Sequence, residues 1–568
     1  MKLGKILGVA GGLMGLAVGL YYSFTSVHVK TSSIEVTAPI VAADAINNKM
    51  SPDQQCANLS HLISSGLAIT IAESMPAGEF LAPDDKTYPL PAFCRIHGIA
   101  KPSDDSEIHF EVWMPQSKWS GRYYQLGNGG FSGAIHYSGL VAALQQGNAV
   151  AATDDGHQSE SGLDASWALN HPEKVKDWGH RAIKLTTDHA KSLIKSFYGK
   201  SADYNYFSGC STGGRQALLM AQRHAEEWDG ILAGAPSSLE QFFGFSWNEQ
   251  VLRQYPENVI PPSKLPAIQR AALALCTADA YLVDDIATDP RFCRFEPSSL
   301  ICEGDETDEC LTAAQSQALK KLYQGPRFLK TGKSLYPGYE PTLETVGWEI
   351  AMITKNAGDA VQFTFGRQML GNIIYDDPDW QYRKFDLDRD WTFVQQHKIT
   401  GQTLGELMNS TDPDLSVLQN KAGKLLMYFG WGDTIVSPQS GINYYENVAE
   451  KFGSDETDKF FRLFMAPGMG HCAGGPGPNA LGQIFGLPAL IDDREHSLVR
   501  AMEAWVEQGI TPKRITAVKY KDDKPETGVS FTRPLCPYPQ LAVYKGKGSV
   551  NEAKNFACQV GANPGAYP

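Results

Sequence analysis

Tyr204-Asn-Tyr-Phe-Ser-Gly-Cys-Ser-Thr-Gly-Gly214 runs directly into Arg215-Gln-Ala-Leu-Leu-Met-Ala-Gln222. The first half is a short, aromatic-rich apolar run that predicts a strand. The second, built from Ala, Leu, Met and Gln, predicts a helix. Between them Gly209-Cys-Ser211-Thr-Gly213 spells G-x-S-x-G. On a tight strand-to-helix turn this pattern lifts the serine hydroxyl clear of the backbone. Glycines flank it because a side chain there would strike the neighbouring strand or helix. The turn also aims the first unpaired N–H groups of the helix at the space beside Ser211. Small residues cluster by chance in many loops, so the motif gains its meaning from the strand before it and the helix after it.

Working upstream, Ile108–Met114 alternates as a strand, and Arg122–Leu126 leads into Gly127-Asn-Gly-Gly-Phe-Ser-Gly133. By itself such a loop is a tight turn needing positive φ. Ahead of a nucleophile elbow it predicts half of an oxyanion hole, with the N–H of Gly129 or Gly130 joining that of Thr212. Asn148–His157 predicts a buried strand ending in a polar loop, where Asp154, Asp155 and His157 are read as hydrogen-bonding the loop itself. Trp178–Tyr198 predicts an amphipathic helix, with His180 and His189 assigned to packing or surface. Asp229–Pro236 predicts another buried strand. Alternating strands and helices from 120 to 236 imply a parallel sheet flanked by helices.

Downstream that rhythm stops. Residues 237–420 are rich in aromatics, prolines and four of the cysteines, with helical stretches such as Leu311–Tyr323, and are read as an inserted lid domain. Within them 325–334 imitate a phosphate loop, but six residues separate the two glycines where that loop requires four, so no nucleotide site is assigned. The sheet resumes with Lys424–Phe429, followed by Gly430-Trp-Gly-Asp433, and then Phe460–Met465, followed by a loop ending in His471-Cys472. Loop aspartates usually form turns, and a lone loop histidine usually has no role. Ser211, Asp433 and His471, each just past a strand and in that order, match what an α/β-hydrolase triad requires. The expected fold is therefore an α/β-hydrolase in two parts, 52–236 and 421–568, around the lid.

The whole chain of 568 residues is long enough for more than one unit, and 42% hydrophobic with 20% charged residues is a normal globular balance. A net charge of −13 and no basic run argue against nucleic acid as a partner. Two lysines precede seventeen uncharged, mostly apolar residues, Ile6–Tyr22, so residues 1–27 are expected to be an export signal or an uncleaved signal anchor, and 28–51 a polar tether. The protein is thus expected to be periplasmic or secreted, touching a membrane only through that segment. Ten cysteines behind an export signal favour disulfides, and no C-x2-C pair points to a metal. Sequence order pairs Cys56–Cys94, Cys276–Cys293, Cys302–Cys310 and Cys536–Cys558, leaving Cys210 for Cys472. That last bond would bring the elbow and the histidine loop within about 4.4–6.8 Å at their Cα atoms, placing His471 beside Ser211.

Cys210-Ser211, Asp433 and His471-Cys472 together resemble the cysteine-linked triad of the tannase/feruloyl esterase family. The resemblance runs from about residue 50 to the end, through Gly127–Gly130, Gly209–Gln216, Asp377–Tyr382, Gly430–Asp433 and Gly470–Cys472. It implies hydrolysis of esters of aromatic acids, feruloyl, galloyl or mono(2-hydroxyethyl) terephthalate, with no cofactor in the chemistry. For a terephthalate monoester, Arg367 and Arg383 are the candidate partners of the free carboxylate. Lids of this family carry a calcium loop, and here the matching stretch is Cys276-Thr-Ala-Asp-Ala-Tyr-Leu-Val-Asp-Asp-Ile286. Asp284, Leu282 and Ile286 fall in register, Thr277 and Ala280 replace two carboxylates, and Asp279 or Asp285 could compensate. Calcium needs several oxygens, so binding there is expected to be weak or absent. Two competing readings are a catalytically inactive surface-anchored binding protein on a hydrolase scaffold and an acyl transferase to an alcohol other than water.

Overall fold

The structure, a computed structural model, describes residues 50–62, 66–159, 161–276 and 282–561. The expected signal segment, nearly all of the tether, and Asp279 lie outside them. Nine strands form the central sheet. They are β1 Leu67–Met75, β2 Phe93–Ala100, β3 Ile108–Pro115, β4 Arg122–Leu126, β5 Ala149–Thr153, β6 Tyr204–Cys210, β7 Gly230–Gly234, β8 Lys424–Gly430 and β9 Phe461–Ala466. Their spatial order is β1-β2-β3-β5-β4-β6-β7-β8-β9. From β5 to β9 every neighbouring pair is parallel, whereas β1, β2, β3 and β5 pair antiparallel.

The parallel half follows from its sequence: β5, β7 and nearly all of β6 and β8 are buried on both faces, as continuous apolar runs require. The antiparallel extension was not evident from the strand–helix rhythm, because hairpin-linked strands leave no helix between them to mark.

Helices pack against the sheet, namely α1 Tyr137–Gln145, α2 Ala182–Tyr198, α3 Thr212–Arg223, α7 Pro438–Phe452 and α8 Leu498–Gln508, whereas α4 Leu239–Arg253, α5 Ala313–Gln324 and α6 Val361–Gln368 pack within the region between residues 237 and 420. α5 starts where a capping box places it, with Thr312 accepting from the Gln315 N–H and the Gln315 side chain accepting from the Thr312 N–H. Described residues between 237 and 420 add no strand to the sheet and contribute two short ribbons, Leu282–Val283 with Ile286–Ala287 and Lys398–Ile399 with Gln402–Thr403. They carry a hydrophobic cluster of their own around Leu319, Tyr323, Trp348 and Phe363. A second cluster joins Phe242 and Leu370 of this region to Phe131 and Trp178 of the sheet side. α8 is tied beneath the sheet through Glu507, which accepts from Arg122 Nε at 2.6 Å and from the Tyr206 hydroxyl at 2.7 Å.

All ten cysteines are paired as sequence order predicts: Cys56–Cys94, Cys210–Cys472, Cys276–Cys293, Cys302–Cys310 and Cys536–Cys558. Bonds of this kind persist in oxidising compartments, and the protein is accordingly an exported one. Among the described residues no helix is long and apolar enough to cross a membrane.

Candidate active site

β6 delivers Ser211 into the turn before α3 with φ +63° and ψ −120°, a conformation L residues seldom adopt. Three backbone bonds hold it there: its N–H donates to Gly234 O at 3.0 Å, and its carbonyl accepts from Arg215 and Ser237. The flanking glycines are sterically necessary. A Cβ on Gly209 would lie 2.5 Å from the Gly213 backbone, and one on Gly213 would lie 2.8 Å from Asn128 O.

The glycine loop after β4 is laced to this turn. Gly213 N–H donates to Asn128 O at 2.7 Å, Asn128 N–H to Gln216 Oε1 at 2.9 Å, and Thr212 Oγ1 to Gly130 O at 2.9 Å. Trp178 Nε1 also donates to Gly130 O, at 3.3 Å. The carbonyl oxygens of Asn128 and Gly130 are thus both engaged as acceptors. Among the described residues no group accepts a hydrogen bond from the N–H of Gly129, Gly130 or Thr212. Those are the donors expected from the sequence.

Asp433 follows β8 and is 1% exposed. Its Oδ1 accepts the N–H groups of Ile435 and Val436 at 2.9 and 2.8 Å, leaving Oδ2 for His471 Nδ1 at 2.8 Å. This fixes the imidazole tautomer with Nε2 bare. The two loops are stitched by Gly432 N–H donating to Met469 O at 2.7 Å. The Cys210–Cys472 bond, with Cα atoms 6.1 Å apart, joins the elbow to the residue after His471. Ser211 and His471 open into one cavity of about 420 Å³, walled by Leu163, Val361, Phe365, Ile435 and Phe485, with His136 at one side. The structure thus brings together Ser211, Asp433, His471, Thr212, Gly129 and Gly130.

Other sequence candidates lie elsewhere. Arg367 and Arg383 do not line the cavity. Arg367 pairs with buried Glu249, and both guanidinium groups stack over the Tyr382 ring. Phe365 reaches the cavity from the same helix, α6, and a residue two positions on points away from it. Asp154 caps its own loop by accepting from the N–H groups of His109 and Gly156, and Asp155 accepts from Gln216 Nε2. His157 Nε2 donates to Phe131 O at 2.9 Å. His189 stacks on Phe110, and burial pushes the His180 pKa down to about 3. The cavity walls were not found from sequence: residues 162–163, 361–365 and 485 meet only through the fold.

Of the calcium-loop stretch, the described carboxylates are engaged in other ways. Asp284 and Asp285 both have positive φ, +53° and +59°, and form the two-residue turn of the Leu282–Val283/Ile286–Ala287 ribbon. The Asp284 carboxylate is taken by Arg533 Nη2 at 3.0 Å. Among the described residues no group of three or more His, Cys, Asp or Glu stands ready for one metal ion.

The sheet order, the strained turn after β6 and the loops after β8 and β9 define an α/β-hydrolase. Residues 94–559 match the family described as tannase and feruloyl esterase. The chain is 42% identical to an uncharacterised esterase of Xanthomonas campestris pv. campestris, over 93% of this chain and 95% of that one. It is 30% identical to a probable feruloyl esterase B of Aspergillus clavatus, over 92% and 99%. The crystal structure of feruloyl esterase B from Aspergillus oryzae superposes with a TM-score of 0.80 at 27% identity, covering 90% of this chain and all of that one. The chain belongs to the tannase and feruloyl esterase family and is a carboxylic ester hydrolase acting on a small-molecule ester.

Proposed function

We propose that this protein hydrolyses esters of hydroxylated aromatic acids, of the feruloyl or galloyl kind, through an acyl-enzyme on Ser211. His471 Nε2 takes the proton of the Ser211 hydroxyl as Oγ attacks the ester carbonyl. Asp433, fixed by two backbone N–H groups, keeps the imidazole in the tautomer that can accept that proton and stabilises the imidazolium that forms. Charge developing on the carbonyl oxygen is met by the N–H of Thr212 and of Gly129 or Gly130. The alcohol leaves with the proton held by His471, and water then repeats the sequence to release the acid. Every step uses side chains and backbone groups of this chain.

The observation that carries the reading is the cavity. Its floor holds a hydroxyl and a bare imidazole nitrogen, and its walls present two phenyl rings and three aliphatic side chains in a volume suited to one substituted ring. Val361 and Phe365 come from residues 237–420, which we assign as the lid. A relative named feruloyl esterase B supports the aromatic acid. A terephthalate monoester would bring a free carboxylate, for which the cavity lining offers no guanidinium. Ser211→Ala is expected to abolish turnover of methyl ferulate with an unchanged Tm; substantial residual turnover would overturn the assignment.

A further inference from the structure

Outside the proposed triad and the backbone N–H groups of the glycine loop, one side chain leaves a free polar group in the cavity. Of the side chains lining it, only Asn128, His136, Ser211 and His471 carry hydrogen-bonding groups. Asn128 is turned into the protein: its Nδ2 donates to Thr153 O at 2.7 Å, and its Oδ1, though without a partner among the described residues, is shut off from solvent. Ser211 and His471 are occupied with the chemistry. That leaves His136, which stands at the N-terminal end of α1, six residues beyond Gly130. Its ring meets Phe485 edge to face, with centroids 6.1 Å apart. Among the described residues no group exchanges a hydrogen bond with that ring. Burial pushes its pKa below the ordinary histidine value. The ring is therefore neutral at pH 7 and offers one N–H donor and one bare acceptor nitrogen.

When an aromatic ester fills the cavity and expels water, a polar ring on an apolar wall needs a partner on the substrate, or its desolvation counts against binding. A hydroxyl can serve either nitrogen, whichever tautomer is present. A carboxylate would meet one neutral donor and no cation. We propose that His136 is a specificity-determining residue whose imidazole hydrogen-bonds a neutral hydroxyl of the bound ester, carried by the ring of the acid or by the alcohol. The proposal rests on the aromatic-ester reading above and deepens it.

The test uses two substrate pairs and three proteins. Methyl ferulate against methyl 3,4-dimethoxycinnamate reports a hydroxyl on the acid; 2-hydroxyethyl benzoate against propyl benzoate reports one on the alcohol. Wild type, His136→Phe and His136→Gln are compared by the ratio of kcat/KM within each pair, with circular dichroism to establish folding. One of the two ratios is expected to fall about tenfold in His136→Phe, mainly through KM, and to be partly kept in His136→Gln, which retains a donor. The pair that moves identifies the hydroxyl. Both ratios staying within twofold of wild type in folded His136→Phe, or in folded His136→Leu, made if the Phe variant does not fold, would overturn the proposal while leaving the esterase reading intact. Wild-type protein inert toward all four esters would remove the aromatic-ester reading and this proposal with it.

Discussion

Ser211 is held in a backbone conformation that costs about 1–3 kcal/mol, and the surrounding hydrogen bonds over-determine it. Neighbouring side chains act in the same way, by bracing loops. His157 stacks on Trp167 at 3.8 Å and donates to the carbonyl of Phe131, in the glycine loop. Burial pushes its pKa down to about 4. The folded protein therefore keeps this ring neutral, while the unfolded chain takes up a proton below about pH 6.5. Its contribution to stability is complete above that value and is lost as pH falls toward 4. At pH 5 the loss from this one group is about 2 kcal/mol. Asp177, raised by burial to about 6, and Glu344, raised by burial to about 7, work in the opposite direction, since the folded state favours their protonated forms. Whole-protein stability alone cannot isolate His157. The useful quantity is the change in urea unfolding free energy between pH 7 and pH 5, compared in wild type and His157→Phe. Wild type is expected to lose about 2 kcal/mol more than the variant; equal losses would mean that the ring is not kept neutral by the fold.

Among the elements, the staple between the elbow and the histidine loop has the widest reach. Cys210 and Cys472 are 262 residues apart, so the chain-entropy model assigns their bond about 5–6 kcal/mol, an upper figure. Cys302 and Cys310 are only 8 apart, for which the same model gives about 2–3 kcal/mol. A Cys210→Ala/Cys472→Ala double variant is expected to lose stability and to lose turnover at least tenfold, because His471 is then positioned only by Asp433 and its own loop. Cys302→Ala/Cys310→Ala is expected to lose stability with turnover unchanged. Urea titration and turnover of p-nitrophenyl acetate separate the two, and a staple variant with wild-type turnover would show that the loop needs no such anchor. This staple was legible in the sequence because its cysteines adjoin two residues with patterns of their own: Ser211 between glycines, and His471 at the end of a strand–loop run. The parallel strands were legible for the same reason, since periodicity and flanking turns are local. The antiparallel pairing of β1–β3 was not, even though Ile108–Met114 of β3 reads as a strand, because alternation marks a strand without naming its partner. Nor were the cavity walls: Phe365 and Phe485 carry no local mark of function, and only chain folding brings them to Ser211. Arg367 attracted notice by its charge and proved to serve Glu249.

At the scale of the whole molecule, the ribbon after Cys276 is fastened to the C-terminal strands, far along the chain. Val283 packs in a cluster with Cys536, Ala542 and Phe556. Arg533, 6% exposed, is the polar centre of this junction. Its guanidinium pairs with Asp284, donates to the carbonyl oxygens of Val550 and Thr532, and lies over the Phe531 and Phe556 rings, each 4.7 Å from centroid to Cζ. A fixed positive charge thus meets the one carboxylate of the calcium-loop pattern that both keeps its register and lies among the described residues. Burial pulls the Arg533 pKa downward, yet a guanidinium titrates so far above neutrality that the charge stays. A resident cation supplied by the chain cannot be chelated. Incubation with EDTA is therefore expected to leave Tm within about 1 °C, and millimolar calcium to add no more than that, because RT ln(1 + [L]/Kd) is negligible without a site. Arg533→Met, close in length but uncharged, is expected to cost about 2 kcal/mol through the lost ion pair, carbonyl bonds and ring contacts. Half of the Asp284 side chain already faces solvent, which limits the penalty of leaving it unpaired. Thermal melts of wild type and Arg533→Met, each with EDTA and with calcium, provide the check. A wild-type Tm that rises by several degrees with calcium, or elemental analysis finding one calcium per chain, would show that the ribbon holds a metal after all and that Arg533 does not stand in its place.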